Sequence, residues 1–309
     1  MEDSFTPSDG EMAHSMPEQP LDNEETLPVT EQQPYEETLP VTEQQPPTAE
    51  PRLRLRGVNK SFGAVRALTD VNFEAYAGEV VGLVGDNGAG KSTLIKVISG
   101  VGPADSGEIF LEGQPVKITT PQTATHLGIE TVYQDLALCD NLDVVANLFL
   151  GREEHTPVRT LSEIDMERRG LGVLRTLEVK IPSLRSKVAA LSGGQRQSIA
   201  VAKTILRNAT VVLLDEPTAA LGVAQTRQVL QMIRRLRDQG LAVVVISHNL
   251  ADVFEVVDRV VVLRLGRRVG TFDVKTTTPE RVVAAITGAE FGELMQTGAT
   301  NAQGAAEGK

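Results

Sequence analysis

The chain has 309 residues, of which 41% are hydrophobic and 23% charged, and its formal net charge is −11. That acidity argues against a general nucleic-acid binder, which needs a basic footprint. The apolar content is enough for a sizeable core and excludes disorder throughout, and the length allows one or two domains.

The charge is unevenly placed. Residues 1–50 hold 13 acidic residues, no Lys or Arg, and 8 of the 16 prolines. That leaves 28 acidic against 30 basic residues over 51–309, a net of +2. The first segment also repeats itself: Glu24 to Pro34 and Glu36 to Pro46 both read E-E-T-L-P-V-T-E-Q-Q-P. Such a composition buries too little apolar surface to offset its ordering entropy, which predicts a disordered acidic tail over 1–50. In each copy two Glu precede a Thr (Thr26 and Thr38), a pattern similar to sites of some bacterial Ser/Thr kinases; a plain solvated spacer is the alternative. The start, M-E-D-S-F, lacks the basic and apolar regions of a secretory signal. No apolar run approaches the eighteen or so residues of a membrane span. Cys139 is the only cysteine, so no internal disulfide forms, and a plain semi-buried thiol is expected rather than a nucleophile.

From Arg52 the pattern changes. L-R-L-R alternates as an edge strand would. Glu79 to Val84 is a short apolar strand running into a glycine-rich turn, and Lys91 to Ser99 is a helix stopped by Gly100. Between about 136 and 191 the rhythm is helical, with patterns over Leu142 to Leu150 and Asp165 to Leu177, and we expect a helical insertion there. Val211 to Leu214 is a buried strand, Val223 to Gln239 a helix, and Leu241 to Ile246 and Arg259 to Leu263 are strands again. Strands alternating with helices predict an α/β domain on a largely parallel sheet, spanning 51–288. The Gly- and Ala-rich end, 289–309, is expected to fray.

The chemistry begins at Gly85 to Thr93, G-D-N-G-A-G-K-S-T. The spacing G-x-x-x-x-G-K-S lets the backbone N–H groups of Gly85, Asp86, Asn87, Gly88, Ala89 and Gly90 wrap a phosphate at a helix N-terminus. Lys91 places a cation on the β- and γ-phosphates, and Ser92, beside Thr93, offers a hydroxyl to Mg2+. Val211 to Glu216 reads V-V-L-L-D-E, an apolar strand ending in two carboxylates. Asp215 is placed to hold Mg2+ through water, and Glu216 to act as general base on an attacking water. Leu191 to Gln197, L-S-G-G-Q-R-Q, opens another helix. Ser192, Gly193, Gly194 and Gln195 form either a second anion site or an ordinary turn with an N-cap.

With these motifs in place, residues 51–288 resemble the ATP-binding subunit of ABC transporters, whose signature is L-S-G-G-Q. The resemblance implies a P-loop NTPase (RecA-like) core with an antiparallel β subdomain and a helical insertion subdomain. It implies two copies meeting head to tail, each ATP held between one P-loop and the other signature. It further assigns Phe62, in K-S-F-G, to stacking on adenine, with a core Phe as the alternative. Gln134, in V-Y-Q-D, is assigned to Mg2+ and the link to the membrane partner. His248, in V-I-S-H-N, is assigned to the γ-phosphate and to positioning Glu216. Where many members have S-A-L-D, this chain has Ala219-Ala220-Leu221-Gly222, which weakens a cross-dimer contact. The wording T-A-A-L-G-V and S-H-N-L-A-D-V-F is similar to importers of ribose, xylose and fructose. An ATPase at the cytoplasmic membrane face, a permease subunit, an extracytoplasmic sugar-binding protein and no nucleic-acid partner are then expected. An ABC ATPase without a transport role, or a cassette that senses ATP with little turnover, remains open.

Overall fold

The computed structural model describes residues 50–289. Both terminal segments singled out above, with Thr26 and Thr38, lie outside the described residues. Two sheets organise the rest. A four-stranded sheet has the order β2-β1-β4-β5, built from β1 (Leu53–Phe62), β2 (Val65–Ala75), β4 (Ser106–Leu111) and β5 (Gln114–Val116). All its pairs are antiparallel. A six-stranded sheet has the order β10-β9-β3-β8-β7-β6, with β3 (Glu79–Val84), β6 (Ile129–Val132), β7 (Val211–Asp215), β8 (Ala242–Ile246), β9 (Arg259–Arg264) and β10 (Arg267–Asp273). Its neighbours are parallel except β10, which turns back antiparallel on β9.

β1 is not an edge strand, as its alternation suggested. It pairs β2 on one side and β4 on the other. The alternation has another cause: Leu53, Leu55 and Val58 are buried on one face while Arg54 and Arg56 stay on the face toward water.

The central strands β3, β7 and β8 are apolar over most of their length because both of their faces are covered. Side-chain period two divides them between two cores. Val80, Val84, Val212, Leu214, Val243 and Val245 face the core made with α3 (Val144–Phe149), α4 (Glu163–Thr176), α5 (Gly193–Leu206), α6 (Val223–Asp238), α7 (Leu250–Val256) and α8 (Pro279–Thr287). Val81, Leu83, Val211, Leu213, Val244 and Ile246 face the core made with α1 (Lys91–Ile98), α2 (Pro121–His126) and the antiparallel sheet. Each such Val, Leu or Ile contributes about 1.5–3 kcal/mol by leaving water. Arg259 ties the two sheets together at the base. It donates to Glu79 Oε1 at 2.8 Å and to the Glu74 carbonyl at 2.9 Å.

Between β6 and α5 the chain carries α3, α4 and a single 3-10 turn at Val188–Ala190. Asp143 caps α3 through the Ala146 N–H, and Asn147, fully buried, bridges back to Cys139 with both its amide atoms. Cys139 is a free, half-buried thiol. No described helix is long and apolar enough to cross a membrane.

Candidate nucleotide site

The parallel strands bring the candidate residues to one edge. In register, Leu83 of β3 lies beside Ile246 of β8, Ile246 beside Asp215 of β7, and Leu214 beside Val132 of β6. Gly85, His248, Glu216 and Gln134 each follow within two residues, so all four leave the carboxyl ends of adjacent strands. This is where open α/β sheets bind ligands.

The loop from Gly85 to Gly90 is shaped by what surrounds it. A Cβ on Gly85 would lie 2.2 Å from the Leu263 carbonyl oxygen, and one on Gly90 would lie 2.8 Å from that of Ala67. Their φ angles, +152° and +104°, also favour glycine. Ala89 is buried beneath the loop and its carbonyl accepts from the Gly266 N–H, while Asp86, Asn87 and Gly88 are exposed. Lys91 opens α1 and donates from Nζ to the carbonyls of Gly85 (2.7 Å) and Asp86 (3.0 Å). Ser92 is exposed and Thr93 half-buried beside it.

The electrostatics show that these groups converge. Burial holds the Lys91 ammonium below its ordinary pKa, against the opposing pull of Glu216, Asp86 and Asp215. Burial, and then the neighbouring Glu216 charge, raises the Asp215 carboxyl, with Lys91 and Lys96 working the other way. Glu216 adopts a left-handed φ of +49°. Its N–H donates to the Ile246 carbonyl at 2.9 Å, which anchors the turn to β8. His248 Nδ1 meets Glu216 Oε2 at 2.8 Å, with the Glu216 side chain only 17% exposed and that of His248 75% exposed. His248 borders two cavities of about 490 and 540 Å3, one lined by Gly85, Asp86 and Asn87, the other by Glu216, Leu221 and Asp252.

Residues that sequence reasoning missed hold the His248 loop. Ser247 is buried and accepts the Asn249 N–H, and Asn249 caps α7 through the N–H groups of Ala251 and Asp252. Thr218 donates to Asp252 Oδ2 at 2.7 Å, which pins the turn after Glu216 to α7. The S-H-N tripeptide before an apolar helix was the available signal for the Asn249 cap.

Ser192 to Gln195 line neither of these two cavities, although Gly193 packs against Leu221 at the wall of the larger one. Ser192 caps α5: its Oγ accepts the Gln195 N–H, and Gln195 Oε1 accepts the Ser192 N–H, a capping box. Gln195 also donates to the Lys180 carbonyl, so its amide is engaged within the chain. The two readings of this motif are compatible, since a capped helix N-terminus keeps its first N–H groups directed outward. A Cβ on Gly193 or Gly194 would come within 3.0 Å of Leu221 or Gln225, so the signature glycines admit the start of α6.

Phe62 is exposed at the end of β1, not in the core. Gln134 is exposed just past β6, with no hydrogen bond to another candidate residue. Among the described residues no group of three or more His, Cys, Asp and Glu is placed to hold a metal alone. Ser92, Asp215 and Gln134 offer a hydroxyl, a carboxylate and an amide oxygen. That sparse oxygen set fits Mg2+, which keeps waters and takes substrate phosphates as its remaining ligands.

A P-loop lysine, paired carboxylates and a histidine at the carboxyl edge of a parallel sheet define a nucleotide-binding cassette. The chain belongs to the ABC transporter ATP-binding family: its family profile, described as ABC transporter, matches residues 68–219. The fructose import ATP-binding protein FrcA of Rhizobium meliloti is 46% identical over 248 residues, 78% of this chain and 95% of the relative. The xylose/arabinose import ATP-binding protein XylG of Sulfolobus acidocaldarius is 44% identical over 242 residues, 78% of this chain and 96% of the relative. A ribose import ATP-binding protein RbsA of Clostridium perfringens is 38% identical over 239 residues, and the match spans only 48% of its length. Among solved structures, an ATP-binding cassette of an ABC transporter in its ADP conformation superposes with a TM-score of 0.68 at 24% identity, covering 80% of this chain and 99% of that one. The dimeric structure of a cassette in a post-hydrolysis state, bound to ADP and Pi, gives 0.61 at 25% identity, covering 73% and 100%.

Proposed function

We propose that this chain is the ATP-hydrolysing subunit of a monosaccharide importer, driven by ATP-dependent pairing of two copies. The observation that carries the reading is that the two candidate anion sites of one chain do not share a cavity. The Lys91 loop and the Glu216–His248 pair share one sheet edge, whereas the Ser192 helix end lines neither cavity there. A second copy placed head to tail supplies its Ser192–Gln195 segment to the first copy's nucleotide. Full-length relatives that are sugar import ATP-binding proteins support the substrate class.

In this reading the Gly85–Gly90 N–H groups and Lys91 hold the β- and γ-phosphates, and the exposed Phe62 stacks on adenine. His248 donates from Nδ1 to Glu216 Oε2, which fixes the carboxylate and leaves its other oxygen to take a proton from water. That water attacks the γ-phosphorus, the bond to the bridging oxygen breaks, and ADP and phosphate leave. Ser92, Asp215 and Gln134 would hold Mg2+, which would supply charge neutralisation on the phosphates. Separation of the copies after hydrolysis moves the insertion, 136–191, and with it a permease docked there. The chain then sits at the cytoplasmic face of a membrane, paired with that permease and served by an extracytoplasmic sugar-binding protein.

The test is light scattering on the purified full chain carrying Glu216→Gln, with and without ATP and Mg2+. A dimer that needs ATP is expected; a mass unaffected by ATP contradicts the pairing mechanism.

A further inference from the structure

Phe62 stands at 53% exposure on the end of β1, yet its ring is not free on both faces. Lys60 Nζ lies 5.5 Å from the ring centroid, within cation–π range. The ammonium is itself held. Lys60 Nζ donates to Asp105 Oδ1 at 2.8 Å, and the Lys60 side chain is only 15% exposed. Asp105 Oδ2 accepts the Ser61 N–H at 2.7 Å, and the Asp105 N–H donates to the Asn59 carbonyl at 2.9 Å. One aspartate just before β4 therefore grips all three residues that precede Phe62. Its carboxyl is held below the ordinary range by the Lys60 hydrogen bond and then by the Ser61 N–H, so it stays ionised near neutrality.

We propose that Lys60 and Asp105 are a positioning pair that presents one face of Phe62 to the purine of the bound nucleotide. The inference rests on the nucleotide site proposed above and adds to it the way the base is received. Lys60 occupies one face of the ring, so a base has only the other. A cation behind an aromatic ring also draws π density away from the opposite face, which suits stacking by an electron-rich purine. Asp105 fixes where the cation sits, and so fixes the ring before the base arrives.

The experiment is calorimetric titration of the full chain with ADP and, separately, with inorganic pyrophosphate, which has no base. Lys60→Met is expected to weaken ADP about two- to fivefold and leave pyrophosphate unchanged. Lys60→Arg keeps ADP affinity, Asp105→Asn loses part of it, and Lys60→Met has no further effect in a Phe62→Ala background. Equal loss of ADP and pyrophosphate in Lys60→Met, or unchanged ADP affinity, overturns the proposal. Wild-type protein that binds pyrophosphate as tightly as ADP removes base stacking altogether, and wild type that binds neither ligand removes the nucleotide site with it.

Discussion

His248 Nδ1 and Glu216 Oε2 lie 2.8 Å apart, joining the loop after β8 to the residue after β7. Glu216 is mostly enclosed and holds a left-handed backbone, whereas His248 reaches into solvent. In the proposed mechanism the histidine aims the carboxylate, and its exposed side chain contributes little to the core. His248→Ala should lower steady-state ATP turnover about 100-fold, within the usual range for acid–base groups. Because the side chain is 75% exposed, thermal melting should move little. A large fall in Tm with unchanged turnover would assign His248 a structural role instead.

Asp215 carries a cost. Burial and the Glu216 charge raise its carboxyl pKa. A carboxyl raised in the folded state favours folding while protonated, and that advantage is lost as pH rises through the folded pKa. At neutral pH the ionised Asp215 thus destabilises the chain on its own, and Asp215→Asn should raise Tm while lowering turnover. The Tm gain should shrink as pH falls through the raised folded pKa and vanish below the ordinary aspartate value, where the carboxyl is protonated in folded and unfolded chain alike. Melting curves across that range check the sign, and a Tm loss at pH 7 would contradict it.

Gly222 caps α6 in extended backbone with open space around it: φ is −76°, and an added Cβ meets nothing within 4 Å. An aspartate fits there and caps better than glycine by a few tenths of a kcal/mol. Gly222→Asp should therefore raise stability slightly with no loss of ATPase activity, read by denaturant midpoint and phosphate release.

Gly194 has no such room. A Cβ would lie 3.0 Å from the Gln225 Cβ, so Gly194→Ala must push α5 from α6. A cost of about 1–3 kcal/mol is expected in chemical denaturation, as for other overpacked sites. The same variant should weaken ATP-dependent pairing, because the Ser192 end of α5 is displaced.

Much of the site is legible in the residues themselves. Val80 to Val84 and Val211 to Leu214 carry no polar side chain because both sheet faces are covered, and local pattern alone finds β3 and β7. The P-loop announces itself by spacing, since glycine is required wherever Leu263 and Ala67 carbonyls press on the loop. Other features depend on partners distant in sequence. Alternation in β1 reports one wet face but not that β4 would cover its edge. The antiparallel return of β10 onto β9 and the short β5 leave no distinctive periodicity. Asp105 has no local motif, and its link to Lys60 exists only once β4 pairs with β1.

The central claim is that Glu216 takes the proton from water at a site built around Lys91. Its most direct measurement is phosphate release from ATP by wild type and by Glu216→Gln, with nucleotide affinity measured in parallel. Glutamine keeps the shape but not the basicity, so turnover should fall at least 100-fold while ATP still binds. Equal rates in the two proteins would contradict the account.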